Sequence, residues 1–269
     1  MANKIKHIAN SFFLGDRFPL VYHDSDKNWG DALNAYLFEK IANKNVARVN
    51  RKVANHVLGI GSILSAATSK SVVAGSGFIS SDANISIQPK AIVCVRGPKT
   101  RARLLELGFD CPESYGDLAL CLPKLYNPKV NKKYKVGVIP HFKDVDNKMI
   151  RRLCDMKQVK EIDVRSETED FINQLLECEV ILSTSLHGII AADAYNIPNL
   201  WASVSNGIIG GNFKFEDYFN SVGRINAEPL KIDSELELCD IISMAKVNCS
   251  RDMIDMAYVN VKRAVAYYE

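Results

Sequence analysis

The chain has 269 residues, 47% of them hydrophobic and 24% charged, with a net charge of +3. That is a globular balance, long enough for one large domain or two small ones with real cores. So mild a basic bias does not argue for a nucleic-acid-binding face, which concentrates Lys and Arg far more strongly, and no nucleic-acid partner is expected.

Seven cysteines, an odd number with no CxxC pair, argue against a disulfide framework and predict reduced, mostly buried thiols. The five histidines show no ligand spacing, so no metal site is expected. No stretch approaches the roughly 18 apolar residues of a spanning helix. The opening residues lack a signal-peptide pattern. The expected location is cytoplasmic.

In chain order, the first predicted strand is 20–23, rich in apolar residues. A helix follows at 31–42, with Leu33, Leu37, Phe38 and Ile41 at helical spacing. Strands are predicted at 46–49, 56–60, 71–74 and 91–95. A helix at 98–107 opens on Pro98 and stops at Gly108. Residues 123–134, with two prolines and four lysines, read as a surface linker. Beyond it come strands at 135–140 and 161–164, a helix at 167–178, a strand at 180–183, a helix at 187–195 and a strand at 199–202. The tail from Asp233 reads as two helices. Many of the strands are apolar throughout, as in parallel sheets covered on both faces. The expected architecture is α/β with two Rossmann-like halves, 1–125 and 134–232, facing a cleft. The helices of 233–269 are placed to pack back on the first half.

The candidate chemistry lies where strands give way to helices, the usual ligand position in α/β sheets. Ser183-Thr184-Ser185-Leu186-His187-Gly188 is the first such segment. A helix starting there aims free N–H groups and its positive dipole end at an anion. The three hydroxyls add donors, and His187 can act as acid, base or cation. The competing reading is that the serines cap the helix and His187 packs. Arg96, in Val95-Arg96-Gly97-Pro98, is placed to grip phosphate or carboxylate with paired hydrogen bonds, or to pair structurally.

Asn28-Trp29-Gly30-Asp31 offers Asp31 as an N-cap and Gly30 as a point of close backbone approach to a ligand. Gly75, Ser76 and Gly77 could form an anion nest. Asp117 either caps the segment after it or faces the cleft. His141 ends a strand and could line the cleft from the second half. Lys214 is most simply a solvated lysine on a helix face, with an acidic substrate as the other reading. The pair Asp24-Ser25-Asp26 reads as turn chemistry.

Together these segments resemble the polysaccharide pyruvyl transferase family. The matching pieces keep the family's order: NWGDALNAYLFEKI, VLGIGSIL, VVAGSGFI, VCVRGPKTRARLLELG, YGDLALCLPKLY, KVGVIPHF and ILSTSLHGIIAADAYNIPNLW, extending into NFKFEDYFNSVGR. The resemblance covers roughly residues 19–224. It implies a GT-B-like fold, phosphoenolpyruvate as donor and a sugar hydroxyl pair as acceptor, with no metal or organic cofactor. It points to Arg96 and His187 as the principal catalytic and donor-site residues, with backbone donors near Leu186 and Gly188. Where many members carry arginine before Leu-His, this chain has Ser185. The expected product is a pyruvate ketal on a surface polysaccharide or its lipid-linked precursor. An undecaprenyl-linked acceptor would bring the chain to the inner membrane face. Two alternatives share the fold: a GT-B glycosyltransferase using a nucleotide sugar, and a non-catalytic glycan-binding protein.

Overall fold

Short Val- and Ile-rich runs, broken by Gly, Asn and Pro, form two wholly parallel five-stranded sheets. The computed structural model describes residues 2–23, 29–204 and 211–269. The first sheet holds β1 (Phe18–Val21), β2 (Val46–Arg48), β3 (His56–Leu58), β4 (Ser71–Ala74) and β5 (Ala91–Cys94), in the order β2-β1-β3-β4-β5. The second holds β6 (Tyr134–Ile139), β7 (Val159–Glu161), β8 (Cys178–Ser183), β9 (Asn199–Ser203) and β10 (Leu230–Lys231), in the order β10-β9-β8-β6-β7. Counted from its own first strand, each sheet has the doubly wound order 2-1-3-4-5. This is the expected two-half, GT-B-like α/β arrangement.

The helices are α1 (Ala2–Phe12), α2 (Trp29–Ala42), α3 (Pro98–Glu106), α4 (Lys148–Cys154), α5 (Thr168–Leu176), α6 (Leu186–Ala194), α7 (Phe213–Ser221), α8 (Leu238–Met244) and α9 (Arg251–Val265). None is long and apolar enough to cross a membrane. Start and stop signals act as expected in α3, where Pro98 opens the helix. Gly108 follows its end at φ +80°, a conformation that favours glycine. α6 is buried from Gly188 through Ala194, as befits a helix apolar all round.

Several expectations move. The strand expected at 161–164 lies at Val159–Glu161. α2 starts two residues early, at Trp29, so Asp31 sits inside the first turn and is not its N-cap. The segment Leu118–Lys124 is a 3-10 helix capped by Asp117, whose carboxylate accepts from Ala119 N–H at 2.9 Å. α1, α4 and β10 are additions to the sequence reading.

The halves are welded rather than merely apposed. One buried cluster runs from Phe18, Leu33 and Phe38 in the first half to Phe171, Ile189 and Trp201 in the second. Trp29 stacks on Phe171 at 4.0 Å, and its backbone N–H donates to Val164 O at 2.7 Å. Tyr36 donates to Glu169 at 2.9 Å across the same seam. The two tail helices part company: α8 stays on β6 and β8, whereas α9 crosses back to α2, β4, β5 and the 3-10 helix. Ala257, Val261 and Ala264 of α9 enter the shared cluster, and Lys124 pairs with Asp255 at 2.5 Å.

Candidate active site

Carboxyl ends of strands from both sheets converge on one cavity of about 280 Å³. From the first half come His23 after β1, Gly61, Ser62 and Ile63 after β3, Ile79 after β4, Arg96 after β5, and Asp31 and Asp117. From the second come His141 after β6, Ser185, Leu186 and His187 at the start of α6, and Lys214 from α7. Strand ends that meet at one crevice are the doubly wound sheet's ligand geometry.

Arg96 is fully buried, yet it borders the cavity. Its Nε donates to Asp217 Oδ2 at 3.0 Å, its Nη1 to Ser62 Oγ at 2.7 Å and its Nη2 to Phe78 O at 2.6 Å. Three of the five guanidinium N–H groups are thereby committed. The structural pairing, the other reading of Arg96, is therefore present. Most of its donors hold the protein, and its charge is already matched by buried Asp217. Asp217 also accepts from the Thr100 N–H at 2.8 Å and the Thr100 hydroxyl at 2.7 Å. One carboxylate of α7 thus fixes both Arg96 and the first turn of α3.

The opposite wall keeps its donors open. α6 begins at Leu186, so the first N–H groups of the helix have no intrahelical acceptor. Ser183 Oγ is spent on Ile139 O and Ser185 O, both at 2.9 Å, and Thr184 Oγ1 on Asp144 at 2.8 Å. Ser185 is left as the hydroxyl of the three that borders the cavity. Lys214 is not a solvated surface lysine. It lines the cavity, makes no ion pair among the described residues, and lies 5.5 Å from the Phe215 ring centroid. Burial, then Arg96 and Lys143, lower its pKa.

Electrostatics follow from this crowding of positive groups. His187 is pushed down to about 3 by burial, then by Lys214, Arg96 and His141. His141 is pushed down to about 4 by burial and then Lys214. Both imidazoles are neutral near pH 7. Asp117 moves the other way, to about 6, because burial outweighs its bond to Ala119 and the nearby Arg96. Its Oδ2 is buried with no partner.

The glycines do different work from that expected. A side chain at Gly30 would overlap the His187 ring, so this glycine makes room for the imidazole rather than for a ligand. A side chain at Gly77 would overlap the Arg96 guanidinium. Gly75, Ser76 and Gly77 do not form an anion nest. The N–H groups of Gly75 and Gly77 donate to Cys94 O and Gly61 O, and Ser76 Oγ donates to Gly59 O. Gly188 packs against Ser183 and Ile139, away from the cavity lining. Asn28, Asp24, Ser25 and Asp26 lie outside the described residues. Asp193 in α6 is buried, accepting from Asn199 and Tyr218, both at 2.7 Å, and does not reach the cavity.

Sequence reasoning missed His23, Ser62 and Asp217. The first two follow strands and could have been found by that position alone. Asp217 had no local signal, because its partner lies 121 positions away.

This strand-end pattern, from Gly77 through the α6 start, coincides with a stretch matched by a known family model. Residues 77–206 match the model of the polysaccharide pyruvyl transferase family. The matched segment contains Arg96, Asp117, His141 and His187, and excludes Asp31, Ser62, Lys214 and Asp217. Among curated relatives, the chain is 30% identical over 216 residues to the succinoglycan biosynthesis protein ExoV of Rhizobium meliloti (strain 1021), covering 76% of this chain. The chain spans 65% of that relative's length. It is 29% identical over 216 residues to an uncharacterized protein of Acanthamoeba polyphaga mimivirus, covering 75% of this chain and 73% of the other.

Proposed function

We propose that this chain transfers the pyruvyl group of phosphoenolpyruvate, as a ketal, onto a sugar of a surface polysaccharide. One observation carries the reading. Lys214, Arg96 and the open N-terminus of α6 surround a small cavity in which His187 and His141 are kept neutral by burial and then by that same positive charge. Such a site favours a compact, multiply charged anion. The family match and the relative named for succinoglycan biosynthesis support the polysaccharide end of the reaction.

In this reading the donor's phosphate and carboxylate lie against Lys214, Ser185 and the α6 N–H groups, with Arg96 completing the wall. Arrival of the anion reverses the field at His187 and raises its pKa, so the ring takes up a proton. His187 then protonates C3 of the donor while a sugar hydroxyl attacks C2. The C2–O bond to phosphate breaks, and a second hydroxyl of the same sugar closes the ketal. Of the two hydroxyl protons, one replaces that delivered to C3 and the other leaves with phosphate. Asp117, with its unpartnered Oδ2, is the second group able to exchange a proton here. A nucleotide-sugar glycosyltransferase is less well served: the acidic residue that α6 offers, Asp193, is walled off from the cavity.

The test is acceptor-dependent phosphate release from phosphoenolpyruvate. It is paired with mass spectrometry of the host glycan with and without the protein. A mass difference of one pyruvate ketal supports the reading. Thermal stabilisation by nucleotide sugars but not by phosphoenolpyruvate would overturn it.

A further inference from the structure

α1 is amphipathic in the opposite sense to the other helices. Among its described side chains the inward positions are His7, Asn10 and Ser11, spaced for one helical face. Asn10 Nδ2 donates to Arg48 O at 3.1 Å, and Ser11 Oγ accepts from Asn50 N–H at 2.9 Å. These polar bonds seat the helix beside β2, an edge strand of the first sheet. Ile8, Phe12 and Phe13 face outward, the two phenylalanines 70% and 79% exposed. The Phe13 carbonyl is held by the Arg17 guanidinium at 2.5 Å, and Arg17 also donates to Asn10 and to Leu14 O. The aromatic pair is therefore presented on a tied turn.

A polar face toward protein and an apolar face away from it suit a helix whose outer side meets hydrocarbon. Charge agrees. Residues 1–17 carry Lys4, Lys6 and Arg17 against Asp16 alone, and Asp16 is paired with Lys44 at 3.0 Å. A second copy of the chain fits poorly. Two aromatics and one isoleucine expose on the order of 350 Å², against the roughly 800 Å² per partner of a specific protein interface. A symmetric pairing of this face would also set Lys6 near its own copy. Shallow insertion of two rings beside basic residues needs no such area.

We propose that α1 and the Phe12-Phe13 turn are a peripheral docking surface for an anionic lipid bilayer. This is independent of which reaction the cavity performs.

Flotation of the full chain with vesicles tests it directly. The wild type should float with phosphatidylcholine–phosphatidylglycerol vesicles, weakly with phosphatidylcholine alone, and less as salt rises. Phe12→Ser/Phe13→Ser should lower partitioning by roughly tenfold or more, while its melting temperature and phosphoenolpyruvate response stay unchanged. Lys6→Glu should lower binding to the anionic vesicles alone. Failure of the wild type to float on either vesicle would overturn the proposal, as would equal flotation of the double variant. A wild-type dimer in light scattering that the double variant abolishes would assign the face to a second copy instead.

Discussion

The two sheets repeat one strand order and bring their strand ends to one cavity, yet they treat charge in opposite ways. On the first half's side, Arg96 is tied down by Asp217, Ser62 and Phe78 before any ligand arrives. On the second half's side, Lys214 and the start of α6 are left unmatched among the described residues. A buried cation with a buried counter-ion is chiefly a structural clamp. A half-buried cation without one costs stability and is retained where an anion will visit. α7 serves both walls: Asp217 holds the clamp, and Lys214, three residues earlier, supplies the free charge.

The sharpest way to break this contrast is to remove the counter-ion. Asp217→Ala leaves Arg96 buried and unpaired and frees the Thr100 anchor. A loss of roughly 3–5 kcal/mol in urea unfolding is expected. A loss under about 1 kcal/mol would show that the clamp is not structural. Lys214→Ala should do the reverse. Folding stability is held or slightly raised, while phosphoenolpyruvate affinity in calorimetry falls by about 2 kcal/mol or more. Equal effects of the two variants on donor affinity would erase the distinction between the walls.

The imidazole on the open wall gives the next comparison. Donor binding should carry a proton into the site near pH 7, because the anion raises a His187 pKa that starts at about 3. Calorimetry in buffers of differing ionisation heat reads this uptake, and His187→Asn should remove it. If uptake persists in that variant but disappears in Asp117→Asn, the proton belongs to Asp117, and the acid assignment moves there. Gly30→Ala should push the His187 ring aside, lowering kcat more than donor affinity and costing about 1–3 kcal/mol of stability.

The smallest effect is on stability against pH with no ligand present. His187, His141 and His56 all have pKa values below the ordinary histidine value. Their neutral forms favour the fold, so their contribution is complete above about pH 6.5 and is lost as pH falls toward about 4. Asp117 opposes this, because its raised pKa favours the folded state as pH falls from about 6 toward the ordinary carboxylate value. The melting temperature should drop by a few °C on acidification over that range. His187→Asn should flatten the slope, and an unchanged slope would place the ring outside the pH response.

Much of the cavity was legible in local pattern. Arg96, Ser185 and His187 stand where a strand ends and a helix begins, and such boundaries are written in neighbouring residues: Pro98 after Gly97, or the apolar run before Ser183. Lys214 read as a solvated lysine because its exposure depends on where α7 lands. α1 went unread because its inward face is polar, so the usual apolar stripe toward the core is missing.

By itself, then, the order of residues determined alternating strands and helices, parallel sheets in two halves, and a set of strand-end groups suited to an anion. Those properties depend on contacts a few positions apart. Tertiary structure alone decided that Asp217 neutralises Arg96, that Gly30 clears space for a histidine 157 positions on, and that α9 returns to the first sheet. It also decided that two imidazoles lose their charge. Burial and electrostatic neighbours are set by residues distant in the chain, and they exist only once the two halves share a core.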